Sequence, residues 1–227
     1  MKSRFATGAF ALALATALVA GLAVAQAPQP GPQAAAAEPA QVSIPAAPVP
    51  AKSSAWLVMD HATGQVLAGE NIDARVEPAS ITKVMTAYVV AAEQAAGRVK
   101  ADDQVLMSER AWREGGARTD GSFSGFPVNQ TAPLRDMEKG MAVQSGNDAA
   151  IALAEHVAGS QEAFAELMNN YAAKIGMKNS HFVNAHGLSA PEHYSTAHDL
   201  ALLGSAFIRD FPEAYAFNSI KEFTVNG

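Results

Sequence analysis

The chain has 227 residues, of which 49% are hydrophobic and 17% are charged, and its formal net charge at pH 7 is −6. An acidic chain without a basic run argues against a nucleic-acid partner and against binding to anionic lipid headgroups. It contains no cysteine, which excludes a thiol nucleophile, a disulfide framework and any cysteine-based zinc site.

Residues 1–27 have the pattern of an export signal. Lys2 and Arg4 form a basic start, residues 10–24 are apolar, and the Ala-Gln-Ala of 25–27 matches a small-x-small cleavage site. The apolar stretch is short and rich in Ala and Gly, which favours export with cleavage over a transmembrane anchor. Without this segment the net charge becomes −8, because both of its charged residues are basic.

Residues 28–52 have the composition of an extended linker. They hold seven of the 12 prolines and almost no charge, so they cannot bury a core, and we expect no binding function there. Residues 53–227 are numerous enough to form a hydrophobic core without disulfides. The predicted organisation is therefore an export signal, a Pro/Ala-rich linker and one folded domain.

The folded domain is predicted to begin with two strands and a helix. Residues 55–59 and 65–68 are typical of strands, joined by a polar turn that ends in glycine. Pro78 precedes a helix whose apolar residues recur every three or four positions, and this helix should end near Gly97. The predicted buried face consists of Ile81, Val84, Met85, Tyr88, Val89 and Ala92. Residues 115–133, rich in Gly, Ser, Thr and Asn, are predicted to be a long loop.

The second half of the domain is predicted to be mostly helical. Three helices are expected at 134–143, 149–157 and 162–175. Thr196 and Asp199 have the spacing of a capping box before a fourth helix, which should stop by Pro212. Residues 222–225 are typical of a strand. Two strands, then helices, then another strand indicate an α+β fold.

The helix after Pro78 starts with two residues that suit nucleophilic catalysis. Ser80 is expected at the positive helix end, and Lys83 follows three residues later on the same side. A hydroxyl beside an amine that can take its proton is a workable nucleophile and base. Alone, a Ser-x-x-Lys pattern is weak, and a polar helix start with a solvated lysine is the more common explanation.

A second motif strengthens the catalytic interpretation. Ser145 and Asn147 form a Ser-x-Asn pattern within Gln-Ser-Gly-Asn-Asp at 144–148. By itself this pattern is typical of a helix N-cap in a tight turn. Downstream of Ser-x-x-Lys, however, it stands in the order that penicilloyl-serine enzymes use.

From about residue 54 to 227 the chain resembles the low-molecular-mass penicillin-binding proteins that act as serine-type D-alanyl-D-alanine carboxypeptidases. The motifs that carry the resemblance are Pro-Ala-Ser-x-Thr-Lys at 78–83, Gln-Ser-Gly-Asn-Asp-Ala at 144–149, His-Gly-Leu at 186–188 and Lys-Glu-Phe-Thr at 221–224. The resemblance implies a β-lactamase/DD-peptidase-like α+β fold. In this fold an antiparallel sheet packs on a helical cluster and the active site lies between them.

The resemblance also implies a role for each site residue. Ser80 would attack the carbonyl between the two terminal D-alanines of a peptidoglycan stem peptide and form an acyl-enzyme, which water then hydrolyses. Lys83 would be the general base, which requires a neutral amine and so a pKa lowered by burial or a nearby cation. Ser145 would relay a proton, and Asn147 would position the substrate and Lys83. The Ser80 N–H would form half of an oxyanion hole.

Partners and location follow from the same resemblance. We expect stem peptides ending in D-Ala-D-Ala as substrates and β-lactam antibiotics as covalent inhibitors, with no cofactor and no metal. The expected location is the periplasm, at the outer face of the inner membrane. Four histidines lie within eighteen residues, but their spacings do not match a short helical zinc pair. They are His181, His186, His193 and His198.

The chain departs from the family pattern at one motif, and alternative functions stay open. It contains no Lys-Thr-Gly tripeptide, the motif that would hold the substrate carboxylate. Either a truncated chain or a pseudoenzyme would explain this, and an end within an apparent strand favours truncation. The C-terminal strands and any membrane anchor would then lie beyond Gly227. The alternatives are a class A-like β-lactamase, for which Glu166 is a superficial candidate deacylating residue, and a non-catalytic peptidoglycan-binding scaffold.

Overall fold

The computed structural model describes residues 52–117, 119 and 121–225. The predicted export signal and all but the last residue of the predicted linker lie outside these ranges. Within them, four short strands and seven α-helices are present. The strands are β1 Trp56–Met59, β2 Val66–Glu70, β3 Gln104–Leu106 and β4 Thr131–Pro133. The helices are α1 Thr82–Ala95, α2 Glu109–Trp112, α3 Leu134–Gln144, α4 Asn147–Ala158, α5 Gln161–Ile175, α6 Ala197–Asp210 and α7 Pro212–Tyr215. No helix in the described ranges is long and apolar enough to cross a membrane.

The strands form two antiparallel pairs. β1 pairs with β2, with Trp56 opposite Glu70, and β3 pairs with β4, with Gln104 opposite Pro133. The two strands predicted at the start of the domain are therefore confirmed as one hairpin, which packs against α6. The predicted loop 115–133 is irregular over most of its length and ends in β4, because the last three residues pair with β3.

Helix α4 lies at the centre of the fold. Its first eight residues, Asn147 to Ala154, are all buried, and most of them are alanines or other small side chains. Small side chains let neighbouring helices approach closely, and α1, α2, α3 and α5 all pack against α4. Helix α1, which carries Lys83 and directly follows Ser80, is therefore held against a buried and closely packed support.

The predicted helices are confirmed, with one error on the buried face of α1. Met85 and Val89 are fully buried, as expected, but the Ile81 side chain is 51% exposed. Ile81 belongs to a 3-10 turn, Ala79–Ile81, that precedes the α-helix, so the 3.6-residue period does not apply to it. Buried Thr82 and Thr86 also belong to the inner face, where they hydrogen-bond to a facing segment of the chain.

Two predictions at the C-terminal side need correction. Residues 222–225 do not form a strand in the structure, because no partner strand accompanies them within the described residues. Phe223 instead packs its ring near Phe126. The capping box at the start of α6 is half formed: the Thr196 hydroxyl accepts from the Asp199 N–H, but the Asp199 carboxylate accepts from other donors.

Candidate active site

Ser80 lies in an exposed turn at the N-terminal end of α1. Pro78 is buried and restricts the backbone that leads into this turn. Ala79 adopts a left-handed conformation with φ of +46°. A non-glycine residue in this region is strained, and such strain persists where the surroundings enforce it. The Ser80 hydroxyl is therefore presented to solvent by a tightly determined backbone.

Lys83 is the buried partner of this hydroxyl. Its amine lies 3.1 Å from the Ser80 Oγ and donates to the His186 carbonyl oxygen at 2.7 Å. Burial lowers the pKa of Lys83 to about 8, against the opposing influence of the Asp148 carboxylate. At pH 7 about one amine in ten is then neutral, compared with fewer than one in a thousand for an ordinary lysine. The alternative explanation of the Ser-x-x-Lys pattern, in which Lys83 is an ordinary solvated lysine, is wrong because Lys83 is only 6% exposed.

Ser145 borders the same cavity as Ser80 and Lys83. The cavity has a volume of about 110 Å³, and its wall also includes the buried carboxyl of Glu138. Ser145 terminates α3 in a left-handed conformation with φ of +55°, and Gly146 occupies the N-cap position of α4. The stretch 145–147 therefore contains a helix N-cap in a tight turn, as the alternative interpretation expected, but the N-cap residue is Gly146 and Ser145 ends the preceding helix.

Asn147 is placed differently from the other three predicted site residues. It is the first residue of α4 and is 3% exposed. Its backbone N–H donates to the Ser122 carbonyl at 2.8 Å, and its side-chain nitrogen packs against Gly121. Within the described part of the chain, no hydrogen bond joins Asn147 to Lys83, and Asn147 does not line the cavity.

Asp148 is a structural residue of the site to which sequence reasoning assigned no role. It is fully buried and accepts two hydrogen bonds from Ser124, one from the backbone N–H at 2.9 Å and one from the hydroxyl at 2.6 Å. Burial raises the pKa of Asp148 above its ordinary value. The 121–126 loop is thereby tied to the start of α4. The signal in the sequence was the acidic residue directly after Asn147.

The His-Gly-Leu stretch at 186–188 packs directly on the start of α1. The Thr86 hydroxyl donates to the Ala185 carbonyl at 2.6 Å, next to the contact between Lys83 and His186. Gly187 has φ of +92°, and a side chain there would place Cβ 1.9 Å from the Ala79 carbonyl oxygen. This close approach requires glycine. Burial lowers the pKa of His186 to about 4, with a smaller contribution from Lys83.

Of the residues considered for other chemistries, His186 and His193 lie next to the start of α1, where both are buried. Glu166 is exposed on the outer face of α5. In the described ranges no group of three or more His, Asp or Glu side chains could hold a metal ion.

The chain is similar to known proteins over most of the folded region. A family model described as D-alanyl-D-alanine carboxypeptidase, peptidase S11, matches residues 41–227. The D-alanyl-D-alanine carboxypeptidase DacC of Escherichia coli is 50% identical over 174 residues, which cover 76% of this chain and 43% of that relative. The chain thus matches less than half of the length of this relative.

Solved structures of similar proteins show the fold of this chain. The D-alanyl-D-alanine carboxypeptidase DacD of Francisella tularensis matches with a TM-score of 0.71 at 44% identity, over 77% of this chain and 41% of that chain. Penicillin binding protein 5 of Haemophilus influenzae matches with a TM-score of 0.75 at 39% identity, over 79% and 52% of the two chains. The predicted β-lactamase/DD-peptidase-like α+β fold is confirmed. The chain belongs to the peptidase S11 family of D-alanyl-D-alanine carboxypeptidases.

Proposed function

We propose that the protein is a serine-type D-alanyl-D-alanine carboxypeptidase that removes the terminal D-alanine from peptidoglycan stem peptides. The observation that carries the proposal is the 3.1 Å contact between the exposed Ser80 hydroxyl and the buried amine of Lys83. A buried amine is neutral more often than an exposed one, and the adjacent hydroxyl is the group from which it can take a proton. The substrate class comes from the names of the relatives.

The reaction proceeds in two steps. Neutral Lys83 accepts the proton of Ser80 while Oγ attacks the carbonyl carbon of the penultimate D-alanine. The Ser80 backbone N–H, at the start of the helix, donates to the oxyanion that forms. The C–N bond then breaks as the leaving nitrogen receives a proton, which Ser145 relays from the Lys83 ammonium. Free D-alanine departs, and water hydrolyses the acyl ester by the same proton transfers in reverse.

The role of Asn147 is part of this proposal. Its amide, which is buried against Gly121 and does not line the cavity, would bind the backbone of the peptide after turning towards the cavity. β-Lactams would acylate Ser80 in the same way, because opening of their strained amide follows the same attack. We further propose a periplasmic location, from the export pattern of residues 1–27 and from the substrate class.

The decisive experiment tests a covalent inhibitor and a peptide substrate in parallel. The protein is incubated with benzylpenicillin and analysed by intact mass and peptide mapping, and separately with a pentapeptide ending in D-Ala-D-Ala, with released D-alanine measured. We expect a stable adduct on Ser80 and release of D-alanine, with both lost in Ser80→Ala. Ser205→Ala, on α6, is the control and should keep both activities.

Other outcomes separate the alternative functions. An adduct on Ser80 that is lost rapidly, with turnover of penicillin, would indicate a β-lactamase. Binding of the pentapeptide without turnover, unchanged in Ser80→Ala, would indicate a scaffold. Either result would contradict the carboxypeptidase proposal.

A further inference from the structure

A buried histidine, His193, connects the start of α1 to the chain segment that faces it. Its side chain is 4% exposed, and its Nε2 lies 2.9 Å from the Oγ1 of Thr82, which is fully buried. Its other ring nitrogen, Nδ1, accepts the backbone N–H of Val183 at 3.1 Å. The Phe182 ring packs against it in a T-shaped arrangement. Both ring nitrogens are therefore engaged inside the protein.

These contacts determine the tautomer of His193. A backbone N–H can only donate, so Nδ1 must carry the lone pair and Nε2 must carry the proton. The proton on Nε2 is then donated to the Thr82 hydroxyl. Burial lowers the pKa of His193, and this effect exceeds the opposing influence of Glu77. His181 also lowers the pKa of His193, and the neighbouring ring of His186 is itself affected by His193, which lowers the pKa of His186.

The bond to Thr82 is one of three that fasten the 184–193 segment to α1. The other two are the donation from Lys83 to the His186 carbonyl and the donation from Thr86 to the Ala185 carbonyl. Thr82 and Lys83 are adjacent in sequence, so the bond from His193 holds the same helical turn that carries the amine. Of these three hydrogen bonds, only the one from His193 uses a side chain of the 184–193 segment. The other two use backbone carbonyls.

We propose that His193 is a positioning residue for this site: its bond to Thr82 holds the 184–193 segment against α1, which keeps the His186 carbonyl on the Lys83 amine and excludes water from it. The role deepens the proposed function, because it concerns the same base. Loss of the bond would let the segment move outward and hydrate the amine. A hydrated lysine returns towards its ordinary pKa, so fewer amines would be neutral at pH 7.

The test measures Lys83 directly and does not depend on a substrate. The Lys83 pKa is followed by NMR of its ε-methylene group in the wild type and in His193→Ala. We expect it to rise by about one unit in the variant, and acylation of Ser80 by benzylpenicillin at pH 7 to slow about tenfold. His193→Gln keeps an amide N–H near the position of Nε2. In this variant the Lys83 pKa and the rate of acylation should both stay close to those of the wild type. His61→Gln, which changes an exposed histidine in the β1–β2 turn, should alter neither.

A second variant, Thr82→Val, tests the same hydrogen bond in case His193→Ala does not fold. Thr82→Val removes only the acceptor hydroxyl and keeps the shape of the side chain, and it should raise the Lys83 pKa as His193→Ala does. An unchanged Lys83 pKa in folded Thr82→Val or His193→Ala would overturn the proposal, even if thermal stability fell. So would a Lys83 pKa near its ordinary value in the wild type. If the wild type forms no adduct on Ser80, the proposed function fails, while the Lys83 titration still decides the role of His193.

Discussion

The carbonyl oxygen of His186 lies 2.7 Å from the amine of Lys83, although the two residues are 103 positions apart in the chain. A neutral amine has two N–H donors and one lone pair, and a carbonyl oxygen can engage only a donor. The contact therefore holds the amine in place without using the lone pair that a base requires. The lone pair stays available to the Ser80 hydroxyl, 3.1 Å away.

The first prediction concerns the pH dependence of acylation. Because the Lys83 pKa is lowered to about 8 and the base must be neutral, the rate of acylation by benzylpenicillin should rise about tenfold per pH unit below pH 8 and level off above it. Lys83→Arg, which stays charged, should lose about 10²- to 10⁴-fold. Lys100→Arg is exposed and serves as the control. A rate that is flat from pH 6 to pH 9 would show that Lys83 is not the base.

The second prediction concerns the close approach of Gly187 to Ala79. Gly187→Ala should lower the free energy of unfolding by about 3 kcal/mol or more, because it combines backbone strain with a Cβ placed 1.9 Å from a carbonyl oxygen. Gly159→Ala is the matched control, since Gly159 also has positive φ but open space around it. It should cost only about 1 kcal/mol. Urea denaturation compares the two, and equal losses would contradict the steric argument.

The third prediction concerns the buried pair Asp148 and Ser124. Asp148→Ala removes the acceptor for two buried donors, the N–H and the hydroxyl of Ser124. Each unsatisfied donor costs about 1–3 kcal/mol, so we expect a loss of about 3 kcal/mol in the free energy of unfolding. Asp73→Ala, whose carboxyl is mostly exposed, should change it by less than about 0.5 kcal/mol. Hydrogen exchange should also show faster opening of the 121–126 loop in Asp148→Ala, and equal protection would contradict the assignment.

The fourth prediction concerns Glu138, whose carboxyl lines the Ser80 cavity and accepts a hydrogen bond from Gln94. Burial raises its pKa from 4.5 to about 7. The folded state therefore favours the protonated form of Glu138. The contribution of this carboxyl to the free energy of unfolding is full below about pH 4.5 and is lost as the pH rises through 7. The loss amounts to about 3 kcal/mol above pH 7.

Glu138→Gln keeps the shape and the acceptor oxygen but has no proton to lose. Its free energy of unfolding should match the wild type near pH 4.5 and exceed it by up to about 3 kcal/mol at pH 8. Glu222→Gln, an exposed change, should follow the wild type at every pH. Parallel pH profiles for wild type and Glu138→Gln would show that the Glu138 carboxyl is not buried in solution.

The local parts of the site could be read from the sequence because they depend on short spacings. Ser80 lies in the 3-10 turn that leads into α1 and Lys83 lies in the first turn of α1, and this spacing of three residues along consecutive helical turns brings the side chains together. The helix boundaries followed from apolar periodicity, proline and glycine, which act within one or two turns. The two strands β1 and β2 and the polar turn between them, which ends in Gly64, followed in the same way, and the structure added that the strands pair.

The tertiary structure decided what depends on distant residues. The burial of Lys83, the His186 carbonyl and the bond between His193 and Thr82 all arise from a segment about a hundred positions away. The strand predicted at 222–225 was wrong for a related reason, since a strand is stable only when another strand supplies its hydrogen bonds. Residue type and spacing thus determined which groups could react. Long-range packing determined how deeply Lys83 is buried, and hence how often its amine is neutral.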